Sequence, residues 1–351
     1  MSSSWLDPKQ LSKELMDFSK DIEASCEALA HMPSVKVDTT PFEVIFSDNK
    51  LKLRYYPATT IKAKQTPLLI CYALVNRPYV IDLDNQRSLV QFLNSQGLDV
   101  YLIDWGYPDR LDRYLDLDDY VNDYLDACVD QALAYAKVEQ LNLLGICQGG
   151  TLSLCYTALH PEKVSRLITV VTPVDFHTPK NLLSHLMRQI DVGLIVDTFG
   201  NVPGSLLNQS FRSLMPARLG IEKYLSMPKQ LADNTKAELF MRMERWINDS
   251  PDQAGEAFKE FVEQFFQQNR LVKGQVSIGE QTVDLKQITQ PVLNIVGTHD
   301  HIVPPCASEP LGQLVGSDTY QYIAIEAGHI GVFVSKSAQA QLGNAIVDWV
   351  S

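Results

Sequence analysis

The apolar residues of this chain cluster in short runs that alternate with longer stretches in which apolar positions recur at helical spacing. Several of the short runs are continuously apolar, as strands buried on both faces of a sheet must be. The predicted strands are Phe42–Phe46, Leu51–Tyr56, Leu68–Tyr72, Val100–Ile103, Leu141–Leu144, Leu167–Val171, Val292–Val296 and Tyr320–Ile325. The predicted helices among them are Gln86–Asn94, Tyr120–Ala136, Thr151–Leu159 and Ala338–Val350. This alternation predicts an α/β fold with a mostly parallel central sheet flanked by helices, opened by an antiparallel hairpin that turns at Asp48-Asn49.

The alternation is interrupted between about Phe176 and Thr289. Helical runs there, such as Ala237–Trp246 and Ala254–Phe266, are separated by breaks that contain proline. We interpret this stretch as a helical cap inserted after the sixth strand. The predicted domains are an N-terminal helical segment at 1–40, a core formed by 41–175 and 290–351, and a cap at 176–289.

The N-terminal segment carries an apolar stripe. Its apolar residues fall at alternating spacings of four and three, on one face of a helix. They are Leu11, Leu15, Phe18, Ile22 and Leu29. The stripe fits equally well a helix packed on its own domain and a seam for a partner helix.

Charge and composition exclude several classes of function. The formal net charge of -12 and the pI near 5.0 argue against a nucleic-acid partner, because phosphate backbones are bound mainly by clustered Lys and Arg. No apolar run reaches the roughly 18 residues of a membrane span, and the N-terminus lacks a signal segment, so a cytosolic protein without a membrane span is expected. The six cysteines form no C-x-x-C pair, which predicts free thiols and no metal site; they are Cys26, Cys71, Cys128, Cys147, Cys155 and Cys306.

One of these cysteines has a setting that predicts catalysis. The strand Leu141–Leu144 runs directly into Gly145-Ile146-Cys147-Gln148-Gly149-Gly150, and a helix follows. A sharp strand-to-helix turn needs small residues at Gly145 and Gly149, and it holds the central residue at its tip. The helix N-terminus behind Cys147 favours a thiolate and can stabilise an oxyanion. Cys147 is therefore the candidate nucleophile, whereas cysteines inside apolar runs are interpreted as buried core residues.

A thiol nucleophile of this kind needs a base and an acid that follow it on loops after later strands. Asp300 follows the strand Val292–Val296, and His329 lies between glycines after the last strand. His299 and His301 precede that strand and are weaker candidates, and the remaining histidines lack such a context. The order nucleophile, acid, histidine is typical of the α/β-hydrolase fold, and it predicts a triad of Cys147, Asp300 and His329.

The oxyanion of such a reaction is bound by two backbone N–H groups. One normally belongs to the residue after the nucleophile, and the other to the loop after the third strand. We expect Gln148 and Val75 to supply them. The predicted chemistry is acyl transfer through a covalent thioester on Cys147.

With these residues in hand, the chain resembles the catalytic subunit of polyhydroxyalkanoate synthase, most closely the short two-component kind called class III. The resemblance extends from about Pro67 to Val334. Four segments carry it: Ala73–Tyr79 with Asp82-Leu83, Asp104-Trp105-Gly106, Gly145–Gly150, and Gly297–Pro304 with Gly328-His329.

The resemblance implies polymerisation of short-chain (R)-3-hydroxyacyl-coenzyme A, chiefly 3-hydroxybutyryl-CoA, into a polyester with release of coenzyme A. The family's catalytic cysteine, aspartate and histidine correspond by motif to Cys147, Asp300 and His329. No cofactor is implied. A homo-oligomer at the surface of a cytosolic polyester granule is expected, with a second, dissimilar subunit of the PhaE type, or of the PhaR type if the chain is class IV.

Three questions stay open at this point. Either His329 or Asp300 could deprotonate the hydroxyl that attacks during elongation. A Cys-His-Asp hydrolase of the dienelactone hydrolase or thioesterase type would use the same glycine-framed turn. A catalytically idle granule or scaffold subunit could keep the fold for binding alone.

Overall fold

The computed structural model describes residues 8–31, 34–60, 66–215, 227, 231 and 233–351. Two compact units divide the chain. One falls within Met1–Lys36 and Met215–Asn248, and the other comprises Val37–Leu214 and Asp249–Ser351.

The second unit is built on an eight-stranded sheet with the strand order β1-β2-β6-β3-β7-β8-β11-β12. Strand β2 is antiparallel to both β1 and β6, and the remaining pairs are parallel. The sheet strands are β1 (Glu43–Asp48), β2 (Leu51–Tyr56), β3 (Leu68–Cys71), β6 (Val100–Asp104), β7 (Leu141–Ile146), β8 (Val164–Val170), β11 (Val292–Gly297) and β12 (Tyr320–Ile325). Two short hairpins lie outside it: β4 (Asp82–Asp84) with β5 (Arg87–Ser88), and β9 (Val276–Ile278) with β10 (Gln281–Val283).

All eight strands predicted from the apolar runs are found, and together they form this one sheet. The predicted opening hairpin is also present, and its turn places Asn49 at a φ of 50°. Every residue of β3, β7 and β11 is buried, as expected for strands covered on both faces. The α/β-hydrolase prediction of a mostly parallel sheet is confirmed.

Within the second unit, helices flank the sheet and fill its connections. The α-helices of four or more residues in the described chain are Pro8–His31, Leu89–Ser95, Asp126–Ala136, Gln148–Leu159, Leu182–Met187, Val192–Phe199, Gly204–Leu214, Asn234–Asn248, Gly255–Phe261, Pro305–Ser308, Leu311–Leu314, Gly331–Val334 and Lys336–Val350. Two of these helices are continuous with π-helical stretches. Asp119–Leu125 leads into Asp126–Ala136, and Val262–Gln267 follows Gly255–Phe261. None of the helices in the described residues is long and apolar enough to cross a membrane.

The stretch predicted as a cap does lie between the sixth and seventh strands of the sheet. Part of it, however, belongs to the main core: the Phe176 ring lies 5.6 Å from Phe265 and 6.0 Å from Phe261, and all three are buried there. Aromatic pairs of this geometry add about 0.5–1.5 kcal/mol each beyond their buried area. The two compact units also meet at other points of the chain than the predicted domains do, because only 215–248 of the predicted cap falls outside the second unit. The extent of the cap stays a prediction.

The described part of the N-terminal segment contains one helix, Pro8–His31, as the stripe predicts. Leu15 on this helix is 60% exposed, and Phe18 and Ile22 are half-buried. The side chains of Leu11 and Leu29 lie outside the described residues. The stripe is thus open to solvent at Leu15.

Candidate active site

The site begins at the turn between β7 and the helix Gln148–Leu159. Cys147 occupies the turn with φ 54° and ψ -123°, a conformation that non-glycine residues rarely adopt. Its N–H donates to the carbonyl of Val170 on the neighbouring strand β8 at 2.9 Å. Strained backbone is retained where the surrounding structure holds it in place. Here it places the side chain of Cys147 at the tip of the turn, beyond the end of β7.

Three glycines allow this turn. A Cβ on Gly145 would lie 2.4 Å from the Cα of Gly150, and one on Gly149 would lie 2.3 Å from the carbonyl oxygen of Cys71. A Cβ on Gly150 would lie 1.9 Å from the hydroxyl of Thr172. The motif therefore needs glycine because backbone and neighbouring side chains fill the space that a side chain would take.

The cysteines separate into two groups. Cys71, Cys128 and Cys155 are fully buried, and burial raises the pKa of each thiol, to about 12 for Cys71 and Cys155. Cys147 is only half-buried at its turn, as is Cys306. The three buried thiols are inert core residues, as their apolar sequence context predicts. The side chain of Cys26 lies outside the described residues.

Asp300 and His329 meet at the carboxyl edge of the sheet. The Nδ1 of His329 lies 2.6 Å from the Oδ2 of Asp300, and both side chains are buried. The other carboxylate oxygen, Oδ1, accepts the backbone N–H groups of Ile302 and Val303, each at 2.8 Å. The carboxylate is thus held by its own loop, and it fixes the orientation of the imidazole.

The imidazole also reaches the thiol. Cys147 acts on the imidazole, and because Nδ1 is occupied by Asp300, Nε2 is the nitrogen left for the sulfur. Burial lowers the pKa of His329, but Asp300 and Cys147 raise it well above its usual value. The structure therefore brings the three predicted triad residues together, with a hydrogen bond between Asp300 and His329. His299 is exposed, with its ring 3.4 Å from the hydroxyl of Thr298.

The expected oxyanion donors lie beside this series. Gln148 is the first residue of its helix, where backbone N–H groups have no partner within the helix. In the described part of the chain, no hydrogen bond uses the N–H of Val75 or that of Gln148. Both groups are therefore available to a ligand, and their assignment as oxyanion donors stays a prediction.

The loop that carries Val75 is held by polar contacts that the sequence did not predict. The Oε1 of Gln148 accepts the N–H of Leu74 at 3.1 Å, and the Nε2 of Gln253 donates to the carbonyl of Leu74 at 2.9 Å. Asn76 donates to the hydroxyl of Ser250 at 2.7 Å. These partners are far apart in sequence, so no local pattern could have indicated them.

The remaining motif residues of the resemblance support the same edge of the sheet. Arg77 donates to Asp104 and to the carbonyl of Gly106 at 2.8 Å, and Arg54 also pairs with Asp104. The indole of Trp105 donates to the carbonyl of Tyr72 at 2.8 Å. A buried ion pair is stable when additional hydrogen bonds satisfy its charged groups. The pair of Arg77 and Asp104 has such a bond to the carbonyl of Gly106, and it fixes the loop after β3 to the end of β6.

Comparison with known proteins agrees with the fold seen in the structure, and it also identifies a family within that fold. Residues 66–336 match the family described as the alpha/beta hydrolase fold, and residues 9–93 match the N-terminus of poly-beta-hydroxybutyrate polymerase (PhaC). The poly(3-hydroxyalkanoate) polymerase subunit PhaC of Allochromatium vinosum is 49% identical over 346 residues, which cover 98% of either chain. Its counterpart in Thiocystis violacea is 47% identical over 345 residues, covering 98% of this chain and 97% of the relative.

Among solved structures, an alpha/beta hydrolase fold protein from Nakamurella multipartita superposes with a TM-score of 0.51 at 14% identity. The match covers 88% of this chain and 99% of that one. At this identity the likeness supports the fold alone.

Proposed function

Because this chain belongs to the poly(3-hydroxyalkanoate) polymerase subunit PhaC family, we propose that it polymerises short-chain (R)-3-hydroxyacyl-CoA, chiefly 3-hydroxybutyryl-CoA, through an acyl-Cys147 thioester. The observation that carries the residue assignment is the hydrogen bond of His329 to Asp300 beside Cys147, which stands in strained backbone at the glycine-framed turn. The enzyme class, an acyltransferase that makes a polyester, follows from the family.

The first step transfers the acyl group to the enzyme. His329 takes the thiol proton, and the sulfur of Cys147 forms a bond to the thioester carbon while the carbonyl electron pair moves to oxygen. The tetrahedral intermediate collapses, the bond from carbon to the coenzyme A sulfur breaks, and His329 returns the proton to that sulfur. One thioester replaces another, so the acyl group on Cys147 stays activated.

The oxyanion of this intermediate is assigned to the backbone N–H groups of Val75 and Gln148. Donors fixed in place before the reaction stabilise developing charge more than water does, because they need not reorganise. The helix that begins at Gln148 adds the positive end of its dipole. The contacts of Leu74 with Gln148 and Gln253 support this role, because they hold the loop that carries Val75.

Elongation requires a 3-hydroxyl to attack an acyl thioester. A hydroxyl is a weak acid, so its proton needs a base within reach. We assign this base to His329, since both oxygens of Asp300 are already bonded to Ile302, Val303 and His329. Asp300 then acts by orienting the imidazole and stabilising its charged form.

The rival functions lack an observation in their favour. A dienelactone hydrolase or thioesterase would share the turn, but the similarity over nearly the whole chain is to polymerase subunits. An idle scaffold would not need a cysteine in strained backbone beside a histidine that is bonded to a buried aspartate. Neither is proposed.

Partners and location complete the proposal. The relatives are named as subunits, which supports a second, dissimilar subunit of the PhaE type, as in class III. We place a homo-oligomer of this chain, together with that subunit, at the surface of the polyester granule.

The N-terminal helix is proposed as the docking surface for the second subunit, because Leu15 is 60% exposed there. Leu15→Asp should weaken association of the chain with the second subunit, measured by analytical ultracentrifugation. Lys13→Gln makes the same change in charge on the opposite face of the helix and should leave that association intact. Equal binding by both variants would contradict this role.

The central test is the product. The purified chain, with and without a second subunit, is incubated with 3-hydroxybutyryl-CoA, and free coenzyme A, insoluble polymer and 3-hydroxybutyric acid are measured. Polymer that accumulates in step with coenzyme A supports the proposal. Stoichiometric free acid would identify a hydrolase, and release of no coenzyme A under either condition would leave the chain without the proposed activity.

A further inference from the structure

A short segment of the stretch predicted as a cap lies along the loop that carries Val75. The segment is Asp249–Gln253, and three of its side chains bond to that loop in the reverse order of sequence. The contacts are Asp249 with the hydroxyl of Tyr79 at 2.9 Å, Ser250 with the side-chain amide of Asn76 at 2.7 Å, and Gln253 with the carbonyl of Leu74 at 2.9 Å. The loop is therefore held at three points by residues that lie 170 to 179 positions later in the chain.

Gln253 is the member of this segment whose bond lies next to Val75, and its own position is fixed. The residue is buried, with 4% of its surface exposed. Its backbone N–H and carbonyl are both bonded to Val202, each at 2.9 Å. The segment also packs closely on Gly204, where a Cβ would lie 2.2 Å from the carbonyl oxygen of Ser250. The amide of Gln253 is thus presented to the loop by backbone that is itself held in place.

The bond from Gln253 acts on the peptide group that contains the expected oxyanion donor. The carbonyl of Leu74 and the N–H of Val75 belong to one planar peptide group, and no peptide bond in the described residues is cis. In a trans peptide the carbonyl and the N–H point in opposite directions, so a bond that fixes one fixes the other. Within the described chain, Gln253 is the hydrogen-bond partner of this carbonyl. The bond of Gln148 to the N–H of Leu74 holds the preceding peptide group instead.

We propose that Gln253 is a positioning residue for acyl transfer, whose amide turns the N–H of Val75 toward the oxyanion that forms when Cys147 attacks the thioester. The inference rests on the proposed function, because it requires acyl transfer to Cys147. During attack the carbonyl electron pair moves onto this oxygen, and it returns when the bond to the coenzyme A sulfur breaks. Gln253 exchanges no proton in either step, and His329 carries the proton that is transferred. A donor stabilises the oxyanion most when its direction is set before the reaction, and without Gln253 this peptide group is free to rotate.

The test compares a reaction that forms an oxyanion with one that does not. Gln253→Met keeps a side chain of similar length and removes the donor. First-turnover release of coenzyme A from 3-hydroxybutyryl-CoA, measured by rapid quench, should fall by about 10- to 100-fold, up to the loss typical of one missing oxyanion donor. The substrate concentration that gives half the maximal first-turnover rate should stay within about twofold, because the oxyanion exists only during reaction. Alkylation of Cys147 by iodoacetamide forms no oxyanion and should also stay within about twofold of the wild-type rate.

Two further variants separate the donor from its surroundings. Gln264→Met is the matched control, because Gln264 is also buried and its Nε2 donates to the carbonyl of Ser277 at 2.9 Å. Ser277 lies on β9, which carries none of the proposed site residues, so neither rate should change. Gln253→Glu keeps the shape of the side chain. A neutral carboxyl can still donate to the carbonyl of Leu74 and an ionised one cannot, so the loss of acyl transfer relative to wild type should grow with rising pH.

Each result decides a different question. If the wild-type chain releases coenzyme A and both Gln253 variants release it at the same rate at every pH, the proposal for Gln253 is wrong while the proposed function stands. If alkylation falls as far as acyl transfer, or neither variant folds as judged by circular dichroism, the amide supports the thiol or the fold and not the oxyanion donor. If the wild-type chain itself forms no acyl-enzyme, with or without a second subunit, both proposals fail.

Discussion

The side-chain oxygen of Gln148 accepts the backbone N–H of Leu74 at 3.1 Å, so the residue after the proposed nucleophile is bonded to the loop that carries Val75. One residue thereby has two roles. Its N–H is free at the start of a helix, and its side chain fixes the position of the second expected donor. The separation between the two proposed oxyanion donors should depend on this bond.

Replacing Gln148 with methionine tests this link. Methionine has a similar length and cannot accept a strong hydrogen bond, so the N–H of Leu74 would lose its partner. A hydrogen bond of this kind contributes about 1 kcal/mol, and we expect first-turnover coenzyme A release to fall by roughly fivefold, whereas Cys147 alkylation should be unchanged. An unaltered acylation rate in Gln148→Met would mean that the loop is held well enough without this bond.

Cys147→Ala should abolish acyl-enzyme formation and leave the fold intact. The thiol stands at the tip of a turn and contributes little packing, so the free energy of unfolding should change by less than about 1 kcal/mol. Covalent attachment of radiolabelled 3-hydroxybutyryl-CoA is the measurement. Cys306→Ala is the matched control, because Cys306 is also a half-buried free thiol. Label retained by Cys147→Ala and lost by Cys306→Ala would reassign the nucleophile.

The sheet could be predicted from sequence because its strands are short, apolar and separated by helices. Strands β3, β7 and β11 are buried along their whole length, and this is the condition that makes an apolar run continuous. The hairpin of β9 and β10 escaped prediction because each strand has three residues, too few to establish a period. The helices Leu182–Met187 and Val192–Phe199 are also short, and tertiary contacts stabilise such helices more than their own sequence does.

The candidate site divides in the same way. Cys147 could be predicted from its neighbours in sequence, because the strand-to-helix turn requires glycine at the positions around it. Asp300 and His329 follow from their order along the chain, because loops after parallel strands meet at one edge of the sheet. The contacts of Leu74 with Gln148 and Gln253 could not be predicted, because they depend on which loops meet, and the spacing of residues does not give the order of strands.

His329→Gln should lower coenzyme A release by at least about 1000-fold, since removal of a triad base has effects of this size. Glutamine can fill part of the space and accept a hydrogen bond, but it cannot take a proton at neutral pH. His299→Gln is the control, because His299 is exposed on the preceding loop. Steady-state assays of both variants suffice, and a fully active His329→Gln chain would overturn the triad.

The pairing of His329 with Asp300 should also appear in the pH dependence of stability. The pKa of His329 in the folded chain lies well above its ordinary 6.5, so the folded state binds the proton more tightly than the unfolded state. Its contribution to the free energy of unfolding is therefore complete below pH 6.5 and is lost as the pH rises through the folded pKa. Urea unfolding of the wild type and of His329→Gln, compared from about pH 6 upward, should give a difference that shrinks with rising pH. A difference that grows would show that the folded chain holds the ring neutral.

Asp300 allows acylation and elongation to be separated, because the two steps make different demands on the same imidazole. Its oxygens are bonded to Ile302, Val303 and His329, so its influence on either step passes through His329. A cysteine thiol has an ordinary pKa of about 8.5 and gives up its proton readily, whereas a 3-hydroxyl is a far weaker acid and needs a fully competent base. Weakening the imidazole should therefore harm elongation more than acylation.

Asp300→Asn makes this change while roughly preserving shape. The amide cannot stabilise an imidazolium, and its NH₂ group can turn the ring toward the wrong tautomer. We expect first-turnover coenzyme A release to fall by roughly tenfold and steady-state polymer formation by about 1000-fold or more, so that the variant accumulates acyl-Cys147 and stalls. Asp284→Asn, at an exposed helix cap, should lose neither activity. A rapid-quench comparison of the two phases decides the matter. Equal losses in both would mean that thiol and hydroxyl depend equally on the oriented histidine, and that the stronger demand of the hydroxyl does not govern elongation.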